Sequence, residues 1–251
     1  MLARNEYPDT LWQCGGVELR ADGLAPRDIP GAVQAFHDEK TRHGFAGPVV
    51  FTLRLQRDGG AWPDAGAASR NTLWTSLPPR TCDWVDLEIE EITRPGRIPP
   101  PTLEALRASG TRILLSHHAF GPEEPSSWEA MRDDMRTFAP DGVKFAVMPG
   151  AAQVPALVEF ARAVAAEFEW CCVLGMGAEG AVTRVLGPLR GCPLTYGFLG
   201  EGAVAPGQLS VGTMKAFFER AATAADRPAD EAPAPVWITW AEALLQQVRD
   251  G

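Results

Sequence analysis

Of the 23 lysine and arginine residues in the 251-residue chain, three are lysines and the rest are arginines. One of the three, Lys144, lies inside Gly142-Val-Lys-Phe-Ala-Val-Met148, an apolar run of the kind that forms a buried strand. Arginine stays protonated and is no nucleophile, whereas a desolvated lysine can lose its proton and attack a carbonyl carbon to form an imine. Taken alone, Lys144 has two readings: a strand-end lysine whose amine snorkels to water, or an imine-forming nucleophile. Its polar counterparts elsewhere in the chain bear on the choice. In order they are Glu18 and Arg20, Arg54 with Asp58, Asp86 and Glu88, His118, Arg184 and Gln208. They punctuate otherwise apolar runs near the same end, which describes a cavity lined by arginines, carboxylates, one histidine and one lysine.

The runs that must position them are Val17–Arg20, Val49–Arg54, Trp84–Glu88, Arg112–Ser116, Gly142–Ala146, Trp170–Leu174 and Leu194–Phe198. A strand with its crossover helix needs about 30 residues, which is the spacing seen. Between the runs lie helical signals, among them Ser126-Ser-Trp-Glu129 as a capping box and Gln153 to Phe168 with apolar positions at helical spacing. The expected class is α/β, a (β/α)8 TIM-type barrel whose catalytic groups come from the C-terminal strand ends. A doubly wound open sheet is the alternative.

A barrel wants eight strands. The 16 residues before Val17 suffice for a helix but not for a further strand, loop and helix. Residues 226–235 read as a linker rich in proline and charge, and Val236-Trp-Ile-Thr-Trp240 reads as strand-like. The expected organisation is therefore a barrel over 1–225, the linker, and a segment 236–251 that supplies the missing strand from the C-terminal side. The competing account is a misplaced start codon and an unrelated tail.

A net charge of −9 and a pI near 5.0 speak against nucleic acid or an anionic membrane as partner, though not against a small anion held by local arginines. Five cysteines without C-x-x-C spacing read as reduced thiols rather than a zinc site. No run has membrane-spanning length, the first residues lack a signal-peptide core, and a cytoplasmic location is expected. No glycine pattern for a nucleotide opens a helix, so no cofactor and no metal is expected.

The chain resembles the type I 3-dehydroquinate dehydratases of the shikimate pathway. The matching stretches are Val17-Glu-Leu-Arg-Ala-Asp22, Phe51-Thr-Leu-Arg54 with Asp58-Gly-Gly60, and Val85-Asp-Leu-Glu88. They continue with Leu115-Ser-His-His-Ala-Phe120, Val143-Lys-Phe-Ala-Val-Met-Pro149 and Met176-Gly-Ala-Glu-Gly180 with Thr183-Arg184. The last are Leu194-Thr-Tyr196 and Ala205-Pro-Gly-Gln208. The resemblance runs collinearly over roughly residues 2 to 225, and the lysine and Ala-Pro-Gly-Gln segments are its more specific parts.

It implies that Lys144 attacks the C3 ketone of 3-dehydroquinate, that His118 serves as general base and then acid, and that Asp58 holds the imidazole. Arg184, helped by Gln208, would bind the substrate carboxylate; Glu18, Arg20 and Arg54 would fix the ring hydroxyls. Burial and arginine neighbours would both favour a neutral lysine amine. It also implies a homodimer. Asp86 and Glu88 read as a polar floor beneath the site, Met176 as cavity wall, and Pro206-Gly207 as part of a lid loop. His117 and His118 alternate in direction on a strand, and the register with Ser116 and Phe120 selects His118. Glu18 and Arg20 have a second reading as a structural ion pair.

Four features depart from the family pattern. Ala119 stands where aspartate is usual, Asp58 where glutamate is usual, Val204 where serine is typical, and the first strand is absent. The lost methylene at Asp58 shortens its reach by about 1.5 Å, which a bridging water could make up. The expectation is an active enzyme whose rate these changes can lower. The alternatives are another class I aldolase-like, imine-forming lyase, and a degenerate relative that binds a cyclic carboxylate without turnover.

Overall fold

The computed structural model describes residues 7–77, 82–93, 98–199, 203 and 205–225. The linker and the segment 236–251, with the strand expected over 236–240, lie outside the described residues, as does Val204. The chain divides into two compact units, Met1–His118 with Met135–Val143, and Ala119–Asp134 with Lys144–Gly251. Among the described residues no helix is long and apolar enough to cross a membrane.

In the first unit, strands β1 (Val17–Arg20), β2 (Val49–Thr52), β3 (Trp84–Glu88) and β4 (Arg112–Ala119) stand in chain order and pair in parallel. Helix α1 (Ile29–Arg42) connects β1 to β2, α2 (Arg70–Ser76) connects β2 to β3, and α3 (Ile89–Thr93) and α4 (Pro100–Ala108) connect β3 to β4. The pairing Arg20↔Thr52↔Asp86 and Glu88↔Ser116 aligns polar side chains on one face, because paired residues of parallel strands point the same way. The other face carries Leu19, Phe51, Val85, Leu87, Ile113 and Leu115, all buried. Each face is thus committed by alternation, and a slip of one residue would exchange the apolar face for the polar one.

Acidic residues just outside the strands set where pairing begins. Asp83, immediately before β3, accepts the Val49 N–H at 2.8 Å, and Asp141 accepts the Ile113 N–H at 2.8 Å. Before β1 lies a 3-10 turn, Asp9–Gln13. Its Trp12 stacks on His43 at 4.6 Å and on Phe36 at 5.7 Å, so aromatic contacts of about 1 kcal/mol each hold the short segment against α1.

In the second unit, β5 (Gly142–Val147), most of which lies in this unit, stands next to β6 (Cys171–Gly175). Helix α5 (Pro125–Arg136) precedes β5 and α6 (Val154–Ala165) follows it. Helix α6 buries Leu157, Val158, Phe160, Ala161 and Val164, the spacing of one helical face, and Phe160 meets Phe145 edge-on at 5.0 Å. Phe145 thereby takes one face of β5, which leaves Lys144 and Ala146 on the other. After β6 come α7 (Gly177–Gly180), α8 (Thr183–Leu189) and α9 (Val211–Ala225).

Two sequence expectations are corrected. Helix α5 starts at Pro125, so Ser126 lies inside it and does not cap it. The seventh run, Leu194–Phe198, is no strand: only Phe198 forms an isolated bridge, to Ser210. Leu194 starts along β6 with its N–H on the Cys171 carbonyl at 3.2 Å. Beyond it the groups a ladder would use are diverted, since the Tyr196 carbonyl accepts from the Arg184 guanidinium and the Thr195 hydroxyl donates to the Arg184 carbonyl. Six of the eight strands of a closed barrel are therefore present among the described residues.

Candidate active site

In the first unit the polar face is organised around Arg54, which follows β2 and is fully buried. Its Nη2 lies 2.6 Å from Asp86 Oδ2, and its Nη1 donates to Glu88 Oε1 and to Ser116 Oγ, both at 3.0 Å. Burial alone would lower the Arg54 pKa; Asp86 and Glu88 outweigh it and push it above the ordinary arginine value. Ser116 Oγ in turn donates to Asp86 Oδ1 at 2.5 Å. Asp86 and Glu88 are thus partners of Arg54, the polar floor expected from their alternation along β3.

Ser116 also settles the direction of the two histidines. It points to Arg54 and Asp86, so His118, two residues on, shares that face. His117 points the other way, with Nδ1 2.5 Å from Glu90 Oε1.

The charge of Glu18 acts on Arg20, and each of the two also has a partner of its own. Thr52 Oγ1 donates to Glu18 at 3.0 Å, while Arg20 clamps Asp22 through Nε and Nη2 at 2.8 and 3.0 Å. Asp22 also accepts the Ala61 N–H at 2.8 Å. Burial works against its charge, but Arg20 more than offsets this and holds its pKa below the ordinary value. Asp58 closes a 3-10 turn, Gln56–Asp58, with Oδ2 3.5 Å from Arg57 Nε. That oxygen is buried and accepts no hydrogen bond, so the implied contact with His118 is not made through it. Burial, then the charge of Glu88, raises the Asp58 pKa to about 6.

In the second unit, Lys144 is 6% exposed and its Nζ lies 4.2 Å from the centroid of the Tyr196 ring. Ala146, Cys172, Leu174 and Met176 form the adjoining apolar cluster, with Met148 and Leu194 against it; Met176 is packed as wall, as expected.

Arg184 follows from the turn after β6. Gly175 and Gly180 touch backbone to backbone, and a Cβ on Gly175 would come within 2.6 Å of the Gly180 Cα. Thr183 Oγ1 locks this approach, accepting the Gly175 N–H at 2.5 Å and donating to the Gly180 carbonyl at 2.6 Å. The next residue, Arg184, is 2% exposed. Its guanidinium donates only to backbone carbonyls: Gly207 at 3.0 Å, Tyr196 at 3.2 Å and Pro206 at 3.4 Å. Among the described residues no carboxylate pairs with it, and burial lowers its pKa to about 10.

Pro206 and Gly207, expected to shape a lid loop, are anchored instead. The Pro206 carbonyl accepts the Gly177 N–H at 3.2 Å, and Gly207, at φ +66°, sits so close to Gly177 that a Cβ would meet its carbonyl oxygen at 2.1 Å. Gln208 follows directly, its N–H bonded to the Ala205 carbonyl at 3.1 Å.

Sequence reasoning quoted Tyr196 and Thr183 within motifs but gave them no role. With only two tyrosines in the chain, a tyrosine inside a matching motif was a usable signal. Arg70, described below, lies in the polar stretch Ala-Ser-Arg-Asn-Thr, where nothing in the pattern marks it as buried.

Comparison with known proteins agrees with this arrangement. The family model described as Type I 3-dehydroquinase matches residues 6–222. The 3-dehydroquinate dehydratase of Methanosarcina acetivorans is 31% identical over 207 residues, which cover 81% of this chain and 84% of that protein. That of Methanococcoides burtonii is 35% identical over 175 residues, 68% of this chain and 70% of that protein. Among solved structures, the 3-dehydroquinate dehydratase of Geobacillus kaustophilus superposes with a TM-score of 0.74 at 21% identity, covering 85% of this chain and 83% of that one. The structural likeness establishes the fold as the TIM-type barrel of these proteins, and the sequence match over most of the chain places it among them: the chain belongs to the type I 3-dehydroquinase family.

Proposed function

We propose that this chain dehydrates 3-dehydroquinate to 3-dehydroshikimate through an imine on Lys144, as a carbon–oxygen hydro-lyase. The observation that supports this reading is the pairing of a buried lysine with a buried arginine on one tyrosine: Lys144 over the Tyr196 ring and Arg184 on the Tyr196 carbonyl, with no carboxylate on Arg184 among the described residues.

The neutral Lys144 amine adds to the C3 carbonyl carbon, and loss of one water gives the iminium. That cation acidifies the C2 proton. His118 removes it, and the electron pair moves into the C2–C3 bond as an enamine. The pair then returns to form the C1–C2 double bond as the C1 hydroxyl leaves, protonated by the imidazolium of His118 to depart as water. Hydrolysis of the conjugated iminium takes up one water and frees Lys144 and 3-dehydroshikimate, so the net change is the loss of one water. Arg184 holds the substrate carboxylate, helped by Gln208, which directly follows the Gly207 whose carbonyl accepts from the Arg184 guanidinium. Glu18, Arg20 and Arg54 bind ring hydroxyls, and Asp58 acts on His118 through a bridging water. No step requires a metal or cofactor.

The proposal includes the homodimer that the resemblance implies and the cytoplasmic location expected from the sequence; light scattering would then return twice the chain mass of 27.0 kDa. The deciding experiment is trapping. Borohydride reduction in the presence of 3-dehydroquinate is expected to leave a stable mass adduct on the Lys144 peptide. A folded chain that forms no adduct would sink the enzyme reading in favour of a protein that binds a cyclic carboxylate without turnover.

A further inference from the structure

We infer that Arg70 is a positioning residue for Arg54, acting through the Glu88 carboxylate and the Leu53 carbonyl. The inference rests on Arg54 as a substrate-binding residue, as proposed above.

Arg70 is the first residue of α2 and is wholly buried, at 0% exposure. Its Nη1 makes three contacts: 2.6 Å to the Leu53 carbonyl, 2.9 Å to Glu88 Oε2 and 3.2 Å to Glu88 Oε1. Its Nε donates to the Ala67 carbonyl at 3.4 Å, its Nη2 lies 3.5 Å from Glu91 Oε2, and its guanidinium stands 4.9 Å over the Trp74 ring. An arginine this deep, held through Nε and Nη1, has its charge fixed in one place.

That place bears twice on Arg54. Leu53 is the residue before it, so the bond to the Leu53 carbonyl fixes the peptide from which the Arg54 side chain springs. Glu88 Oε1 is shared, accepting Arg54 Nη1 at 3.0 Å and Arg70 Nη1 at 3.2 Å. Arg54 is divided between Asp86 and Glu88, and how it divides depends on how far Glu88 is already satisfied. With Arg70 present, Glu88 Oε2 has its own donor and Arg54 needs to reach only Oε1. Without Arg70, Glu88 would keep a single cation, and Arg54 would be drawn across to cover both oxygens at the expense of Asp86 and Ser116. A guanidinium displaced in this way meets the substrate in the wrong place, and misplacement of a binding group is felt chiefly in KM.

The test is steady-state kinetics on 3-dehydroquinate with Arg70→Lys, Arg70→Met, Arg54→Lys and the Arg54→Lys/Arg70→Lys double variant. Arg70→Met is expected to raise KM roughly tenfold and Arg70→Lys roughly threefold, with kcat within about twofold of the parent. In the Arg54→Lys background, Arg70→Lys should have no further effect, because its influence passes through Arg54. If Arg70→Met does not fold, the lysine variant, which keeps the charge, decides. An unchanged KM in Arg70→Lys, a fall in kcat without a change in KM, or additivity in the double variant would overturn the inference and leave the enzyme reading intact. A parent chain that shows no borohydride adduct would instead remove the enzyme reading, and this inference with it.

Discussion

The Lys144 amine lies over the ring of Tyr196, with Nζ 4.2 Å from its centroid. A cation over an aromatic face gains about 0.5–2 kcal/mol, depending on how far it is desolvated, and Lys144 is almost fully buried. The ring therefore restrains the amine, and the backbone of the same residue restrains Arg184, the proposed carboxylate anchor. Tyr196→Leu removes the aromatic face and should lower kcat/KM roughly tenfold and slow adduct formation on Lys144. Tyr196→Phe keeps the face and should stay near the parent. Rapid-quench trapping with borohydride measures both; equal loss in the two variants would assign the effect to the hydroxyl.

Arg184 offers a planar guanidinium where a lysine would offer a point charge. Arg184→Lys should raise KM by roughly 10- to 100-fold, the range expected from losing a charge-assisted bidentate contact, with a smaller change in kcat. A cyclic carboxylate such as quinate or shikimate should raise the melting temperature of the parent and leave that of Arg184→Lys nearly unmoved. A substrate analogue that stabilises both proteins equally would place the anion elsewhere.

Asp58 gives a pH signature. Its carboxyl titrates at about 6 in the folded protein against an ordinary value of 3.8, chiefly because it is buried and then because Glu88 lies nearby. A raised carboxyl pKa means that the folded state binds the proton more readily than the unfolded one. Its effect on stability is accordingly unfavourable once it ionises, and develops as pH rises from about 4 to about 6. Asp58→Asn should melt higher than the parent at pH 7.5, by an amount on the order of 2 kcal/mol, and the difference should vanish below about pH 4. Melting curves across that range test it; a difference that grows on acidification has the wrong sign.

Gly207 is irreplaceable on geometric grounds. Its φ of +66° and the Gly177 carbonyl oxygen, 2.1 Å from where a Cβ would stand, leave no room for alanine. Gly207→Ala must shift the turn, and the Arg184 Nε bond to the Gly207 carbonyl shifts with it. The expected result is a stability loss of about 2 kcal/mol or more together with a raised KM, read from denaturant melts and kinetics on the same protein.

Much of this arrangement was legible in the sequence because strands announce themselves by alternation. Glu18 and Arg20, Asp86 and Glu88, Ser116 and His118 are each two apart, and the register places each pair on the polar face. The run at Leu194–Phe198 misled for a reason local composition cannot show: its backbone acceptor at Tyr196 is claimed by a side chain from α8. Ser126 misled because Pro125 starts the helix two residues earlier than a capping box with Ser126 as N-cap allows. Arg70 was invisible because burial of an arginine depends on Glu88 and Leu53, residues 18 and 17 positions away. The preference for His118 over His117 came from alternation alone, and the serine between Arg54 and Asp86 has the direction that alternation requires.

Among the described residues Arg184 is held by main-chain oxygens, from Tyr196, Pro206 and Gly207. Every amino acid brings the same carbonyl, so the grip depends on the path of the turn and hardly on which side chains decorate it. Substitutions that preserve that path can accumulate around the anchor without loosening it. Selection on this segment would then act on glycine and proline, which set the backbone's course, and leave its polar residues free to retune what is recognised.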